Sequence, residues 1–147
     1  MAEIKKIKVL EMENIYTANA FEKDGKVRIG IGPEREGNPW IVDFPSLEKV
    51  EAGVSPGGMM SFVPIPDCKD TYVSVMGLFP PFKGKSGGIF KHAFDGISWK
   101  VTKVINLPFA HRCDILFKNG VSYLFSASVS KYKDSPEDWS NAGEVYF

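Results

Sequence analysis

The stretch IYTANAFEKDGKVRIGI, residues 15–31, decides the fold class. A run rich in apolar residues (15–21) leads into the polar turn Glu22-Lys23-Asp24-Gly25. Lys26-Val27-Arg28-Ile29 then alternates polar and apolar, as a half-buried strand does. Asp24-Gly25 is a two-residue hairpin signal, because these residue types tolerate the positive φ that a tight turn needs. The same order of events returns twice. Residues 60–66, the turn Asp67-Cys68-Lys69-Asp70 and residues 71–76 form the second instance. Residues 110–117, the turn Lys118-Asn119-Gly120 and residues 121–126 form the third. The second strands begin at residues 26, 71 and 121, steps of 45 and 50 residues.

Each hairpin is followed by a longer irregular stretch and then a third strand-like run, at 39–44, 88–94 and 143–147. In the second segment Asp95-Gly96 turns the chain into a fourth strand, 99–105, and the first has a shorter counterpart within 47–54. Four antiparallel strands recurring at this interval are the sequence signature of an all-β chain built from β-propeller blades. An ordinary β-sandwich with coincidental spacing accounts less well for three turns and three hairpins in register. The expected blades span roughly 11–54, 55–107 and 108–147, a single partial propeller of two and a half to three blades. Propellers close with four to eight blades. The ring is therefore expected to be completed either by residues of a longer chain or by a partner copy. Residues 4–10 alternate charged and apolar side chains, so 1–10 is expected to act as an edge strand that closes a ring.

Composition sets the class of partner. The chain has 147 residues, with 18 Lys+Arg against 18 Asp+Glu, 44% hydrophobic and 13% aromatic residues. That is a folding composition. Zero formal charge argues against a nucleic-acid binder that neutralises phosphates and against a polybasic membrane anchor. The first residues are charged and lack the apolar core of a secretory signal, so a cytoplasmic protein is expected. Cys68 and Cys113 have no metal-ligand spacing around them, and neither a metal nor a cofactor is expected. Nucleotide-binding glycine motifs, HExxH and Gly-x-Ser-x-Gly are absent. Gly84-Lys85-Ser86 lacks the earlier glycine of a phosphate loop, since residue 79 is Phe.

In a blade the first strand lines the central channel, and the loops between second and third strands share one end with its start. Those loops are the long ones here, and rigid scaffolds place binding groups on such loops. The repeat steps make Tyr16, Ser61 and His111 equivalent at the starts of the three inner strands. His111 or Asp114 is the candidate acid/base, together with a carboxylate from the missing blades, since an imidazole exchanges protons near neutral pH. Arg112 offers a fork for carboxylate or phosphate, and Tyr16, Ser61, Tyr132 and Trp139 are further candidate substrate contacts. Structural pairing of Arg112 with Asp114 is the plainer alternative.

Phe94-Asp95-Gly96-Ile97-Ser98-Trp99 resembles a shortened Asp-box of sialidases and related propeller glycosidases, with one residue fewer between Asp and Gly. The resemblance implies a turn-forming Asp95 and a packing Trp99, with no catalytic role for either. Across the whole chain the blade pattern is similar to that of carbohydrate-active propellers, including five-bladed glycosidases and lyases of the aldos-2-ulose dehydratase type. It implies a carbohydrate-binding or carbohydrate-processing protein with a small sugar as partner. The alternative is a non-catalytic propeller that presents its loops, and the apolar Pro80-Pro81-Phe82 tip, to another protein.

Overall fold

The computed structural model describes residues 4–79 and 81–147. The chain is all-β: three antiparallel sheets, each a simple meander in chain order. The first sheet contains β1 (Ile15–Lys23), β2 (Lys26–Pro33), β3 (Trp40–Phe44) and β4 (Lys49–Glu51). The second contains β5 (Ser61–Pro64), β6 (Thr71–Met76), β7 (Gly88–Phe94) and β8 (Trp99–Asn106). The third contains β9 (Ala110–Lys118), β10 (Val121–Ser128) and the two-residue β11 (Val145–Tyr146). A 3-10 turn, Pro81–Ser86, lies between β6 and β7.

The hairpin turns form where their residues demand. Asp24 and Gly25 have φ of 55° and 70°, and Asn119 and Gly120 have 54° and 77°. Two consecutive positive φ values match the right-handed twist of the flanking strands. Within this chain residues 4–10 are in no strand; the expected edge pairing is with another blade. A strand exists only as one side of a hydrogen-bonded ladder, and none is offered to this segment here. Residues 1–3 of that segment lie outside the described residues.

Side-chain alternation along the middle sheet divides its residues between two interfaces. Phe62, Tyr72 and Met76 pack with Phe21 and Ile41 of the first sheet. Val73, Val75 and Ile89 pack with Ala110, Cys113, Ile115 and Leu124 of the third. Each fully buried large apolar side chain contributes about 1.5–3 kcal/mol. Close approach of the first two sheets requires Gly30, where an added Cβ would lie 2.5 Å from Cδ1 of Phe62. The starting strands lie side by side: β1 contacts β5, and β5 contacts β9.

Polar ties lock the same interfaces. The buried Lys23 amine donates to the carbonyls of Ile65 and Cys68, 2.8 Å each. His92 is fully buried, and burial lowers its pKa to about 4. The ring is therefore neutral: Nδ1–H donates to the Ala52 carbonyl and Nε2 accepts from the Ser74 hydroxyl, both at 2.8 Å. This serine–histidine pair is sealed inside the fold, where it pins the chain after β4 to the middle sheet.

Candidate functional site

The starts of β1 and β9 carry matching irregularities. Ile15 pairs with Pro33 and Thr17 with Gly32, which leaves Tyr16 as an extra residue. Ala110 pairs with Ser128 and Arg112 with Ala127, which leaves His111 extra in the same way. Bulges re-aim one side chain without ending the strand. The expected equivalence of Tyr16 and His111 thus has a structural basis. Ser61 departs from it, pairing regularly with Val75.

A cleft of about 340 Å³ opens where β1, β5 and β9 meet. Asn19 of β1, Ser61 and Val63 of β5, and Arg112 and Asp114 of β9 line it, with Phe125 and Ala127 of β10 and Val145 of β11. Arg112 and Asp114 share one face of β9 because they are two residues apart. Opposite them in register are Ala127 and Phe125. Arg112 is oriented by donating from Nη1 to the Met60 carbonyl at 2.6 Å, across to the middle sheet. Asp114 Oδ1 accepts the Ile115 N–H at 2.8 Å, and its other oxygen has no hydrogen bond among the described residues. Ser61 is buried, and its hydroxyl oxygen accepts the Cys113 N–H at 3.1 Å. Phe125 is backed by Phe147, ring centroids 5.9 Å apart.

The other expected contacts are not brought to this cleft. His111 is half-buried and does not line it. Burial, and then the neighbouring Arg112 charge, lower its pKa below the ordinary histidine value. Tyr16, 43% exposed, also stands outside the lining. Tyr132 and Trp139 belong to the loop after β10, which leaves the sheet at the end where β9 begins. Trp139 has the ammonium of Lys133 3.2 Å from its ring centroid. The loop is closed by Asp138, which accepts the Ser140 N–H at 2.9 Å and the Ser140 hydroxyl at 2.6 Å. Asn19 and Phe125 are among the cleft residues that sequence reasoning missed. Neither carries a local signal, since their proximity arises only when β1 and β10 are brought to β9.

Pro80, and the side chains of Pro81 and Phe82, lie outside the described residues. Asp95 forms the turn between β7 and β8: its Oδ1 accepts the Ile97 and Ser98 N–H groups at 3.0 and 2.9 Å. Trp99 packs against Phe94 and Tyr72, at centroid distances of 5.5 and 5.9 Å. Among the described residues no group of three or more His, Cys, Asp or Glu side chains is placed to hold a metal ion. No helix among them is long and apolar enough to cross a membrane. The chain matches no protein-family model, and comparison with curated proteins likewise finds no match.

Proposed function

We propose that the three sheets are blades of a β-propeller and that the cleft between their first strands binds a carbohydrate. The propeller reading is supported by the meander order of all three sheets and by the adjacency of β1, β5 and β9. It also accounts for the exposed apolar side chains Leu116 and Tyr123 near the β9–β10 turn of the third sheet, where a following blade would pack. That blade would come from a longer chain or from a second copy.

The observation that carries the binding reading is the convergence of unlike polar groups from two sheets. Asn19 supplies an amide, Arg112 a guanidinium and Asp114 a carboxylate, beside the apolar wall of Phe125 and Val145. A sugar presents this combination in reverse: hydroxyls that both donate and accept, and a C–H face for an aromatic ring. Binding is preferred to hydrolysis. Glycoside cleavage generally uses two carboxyl groups about 5–10 Å apart, and Asp114 is the one carboxylate in the lining. His111, one residue before Arg112, is in this reading a rim residue, as is Tyr16.

Isothermal titration against a panel of neutral and acidic sugars tests the site. Saturable binding is expected, weakened about tenfold or more by Arg112→Ala, as loss of one charge-assisted hydrogen bond implies. Binding unaffected by Arg112→Ala and Asp114→Asn overturns the assignment. Protein docking is the second reading, favoured by the same exposed apolar side chains of the third sheet. Absence of any sugar binding, together with capture of a partner that Leu116→Lys abolishes, would favour it.

A further inference from the structure

A second cleft, of about 280 Å³, lies between the first and middle sheets at the opposite ends of the strands, beside the short hairpin turns. Its apolar and aromatic lining is Ile41 and Val50 from the first sheet and Tyr72, Phe94 and Trp99 from the middle one. The three rings form an angled surface rather than a flat stack, with Trp99 inclined 47° to Tyr72 and 43° to Phe94. The lining also carries charge from both sheets. Asp43, Glu48 and Asp70 line it, against Arg28 as the one cation in the lining.

The pairing among these groups decides which charge remains available. Arg28 donates from Nε to Asp43 Oδ1 at 2.9 Å and from Nη1 to the Tyr72 hydroxyl at 3.0 Å. The second oxygen of Asp43 is taken by the Lys26 amine, also at 2.9 Å. Arg28 is therefore committed to joining the sheets through Tyr72, and Asp43 to holding Arg28 and Lys26. Asp70 is left with a looser contact to Arg28 at 3.8 Å. Glu48 is exposed, and its carboxylate has no hydrogen bond or ion pair among the described residues. The uncompensated charge of the cleft is negative and shares the lining with aromatic rings, whose faces are also negative.

We infer that this cleft binds a small organic cation, an ammonium or guanidinium group carried on a hydrocarbon body. The cation sits against Trp99 and Phe94 and faces Glu48 and Asp70, while its apolar body covers Ile41 and Val50. Anions are excluded by the surplus carboxylates. Neutral ligands gain the apolar contact but not the cation–π and ionic attraction, each of which is modest alone and additive here. The site is independent of the inner-strand cleft and of the propeller reading, since it uses other residues at the other ends of the strands.

The test is a titration of the whole chain with benzyltrimethylammonium, and with benzyl alcohol and benzoate as neutral and anionic counterparts. It is followed by ¹H–¹⁵N NMR at the Trp99 indole N–H, with that signal assigned from Trp99→Phe. Glu48→Gln is the first variant, because an exposed carboxylate without partners can be neutralised without disturbing the fold. Asp70→Asn is added to it. The expected result is saturable movement of the Trp99 signal with the cation. Affinity should fall about threefold in Glu48→Gln and about tenfold in the double variant, and should weaken with added salt. Benzoate should cause no saturable shift, and benzyl alcohol should bind at least about tenfold more weakly. Equal binding of benzyl alcohol, undiminished cation binding by the double variant, or no saturable shift at Trp99 each overturns the inference.

Discussion

Acidification to pH 4.5 should destabilise this protein specifically through His92. The imidazole is fully buried and neutral, with Nδ1–H given to the Ala52 carbonyl and Nε2 accepting from Ser74. Its folded pKa is about 4, against an ordinary value of 6.5. A histidine with a depressed folded pKa binds fewer protons folded than unfolded, so its linkage makes stability rise with pH. The contribution is complete above about pH 6.5 and is lost as pH falls toward 4, where the folded ring also protonates. One pKa unit corresponds to 1.36 kcal/mol, so between pH 7 and 4.5 the loss is about 2.5 kcal/mol. That is a large fraction of the 5–15 kcal/mol by which domains are stable. Urea unfolding at pH 7 and 4.5 measures it, on the native chain and on His92→Gln. Glutamine keeps one donor and one acceptor but does not titrate, so subtracting its pH dependence removes the contributions of His111 and the carboxylates. A pH dependence that matches in the two proteins within about 0.5 kcal/mol would refute the reasoning.

Three further outcomes are expected. Tyr72→Phe removes the oxygen that accepts from Arg28 at 3.0 Å, while the guanidinium stays largely covered with its side chain 14% exposed. The cost in urea unfolding should be about 1–3 kcal/mol, and a change below 0.5 kcal/mol would mean that water replaces the hydroxyl freely. Gly30→Ala places a methyl 2.5 Å from Phe62 Cδ1 and 3.1 Å from Phe21, and should cost about 1–3 kcal/mol by overpacking. Adding Phe62→Leu should recover part of that loss, and strict additivity of the two changes would count against direct contact. In native buffer a thiol reagent should modify exposed Cys68 quickly. It should reach Cys113 only on unfolding, since burial pushes that thiol up to about 12. Two equally fast thiols would contradict the packing of β9.

The parts of the fold legible in the sequence are those that need only neighbouring residues. Asp24-Gly25 and Asn119-Gly120 announce their hairpins because positive φ is a property of the residues themselves. Asp95 announces its turn because its carboxylate reaches the backbone two and three residues on. Residues 4–10 read as a strand from alternation alone and are in none, because pairing is a property of two segments and not of one. The shortness of β11, which pairs only with Ser126 and Ala127, was unreadable for the same reason.

The two histidines show the same division at the level of chemistry. His111 drew attention because it stands beside Arg112 and at the start of an inner strand, yet it does not line the cleft that Arg112 and Asp114 share. His92 carried no signal, being one polar residue in a strand. Its lowered pKa comes from burial between the first and middle sheets, where Ser74 on the neighbouring strand and Ala52 just after β4 are its hydrogen-bond partners. Likewise Asn19 shares a cleft with Arg112, and Glu48 with Trp99, only after whole sheets have packed.

The amino-acid sequence alone determined the all-β class, the three-fold recurrence, the hairpin turns and the presence of Arg112 and Asp114 on one face of a strand. These follow from backbone conformational preference and two-residue periodicity, which act over a few bonds. Tertiary structure alone decided which groups share a cleft, which histidine is buried and neutral, and which carboxylates lack partners. Those depend on distances between segments far apart along the chain, set by how side chains of facing sheets interlock.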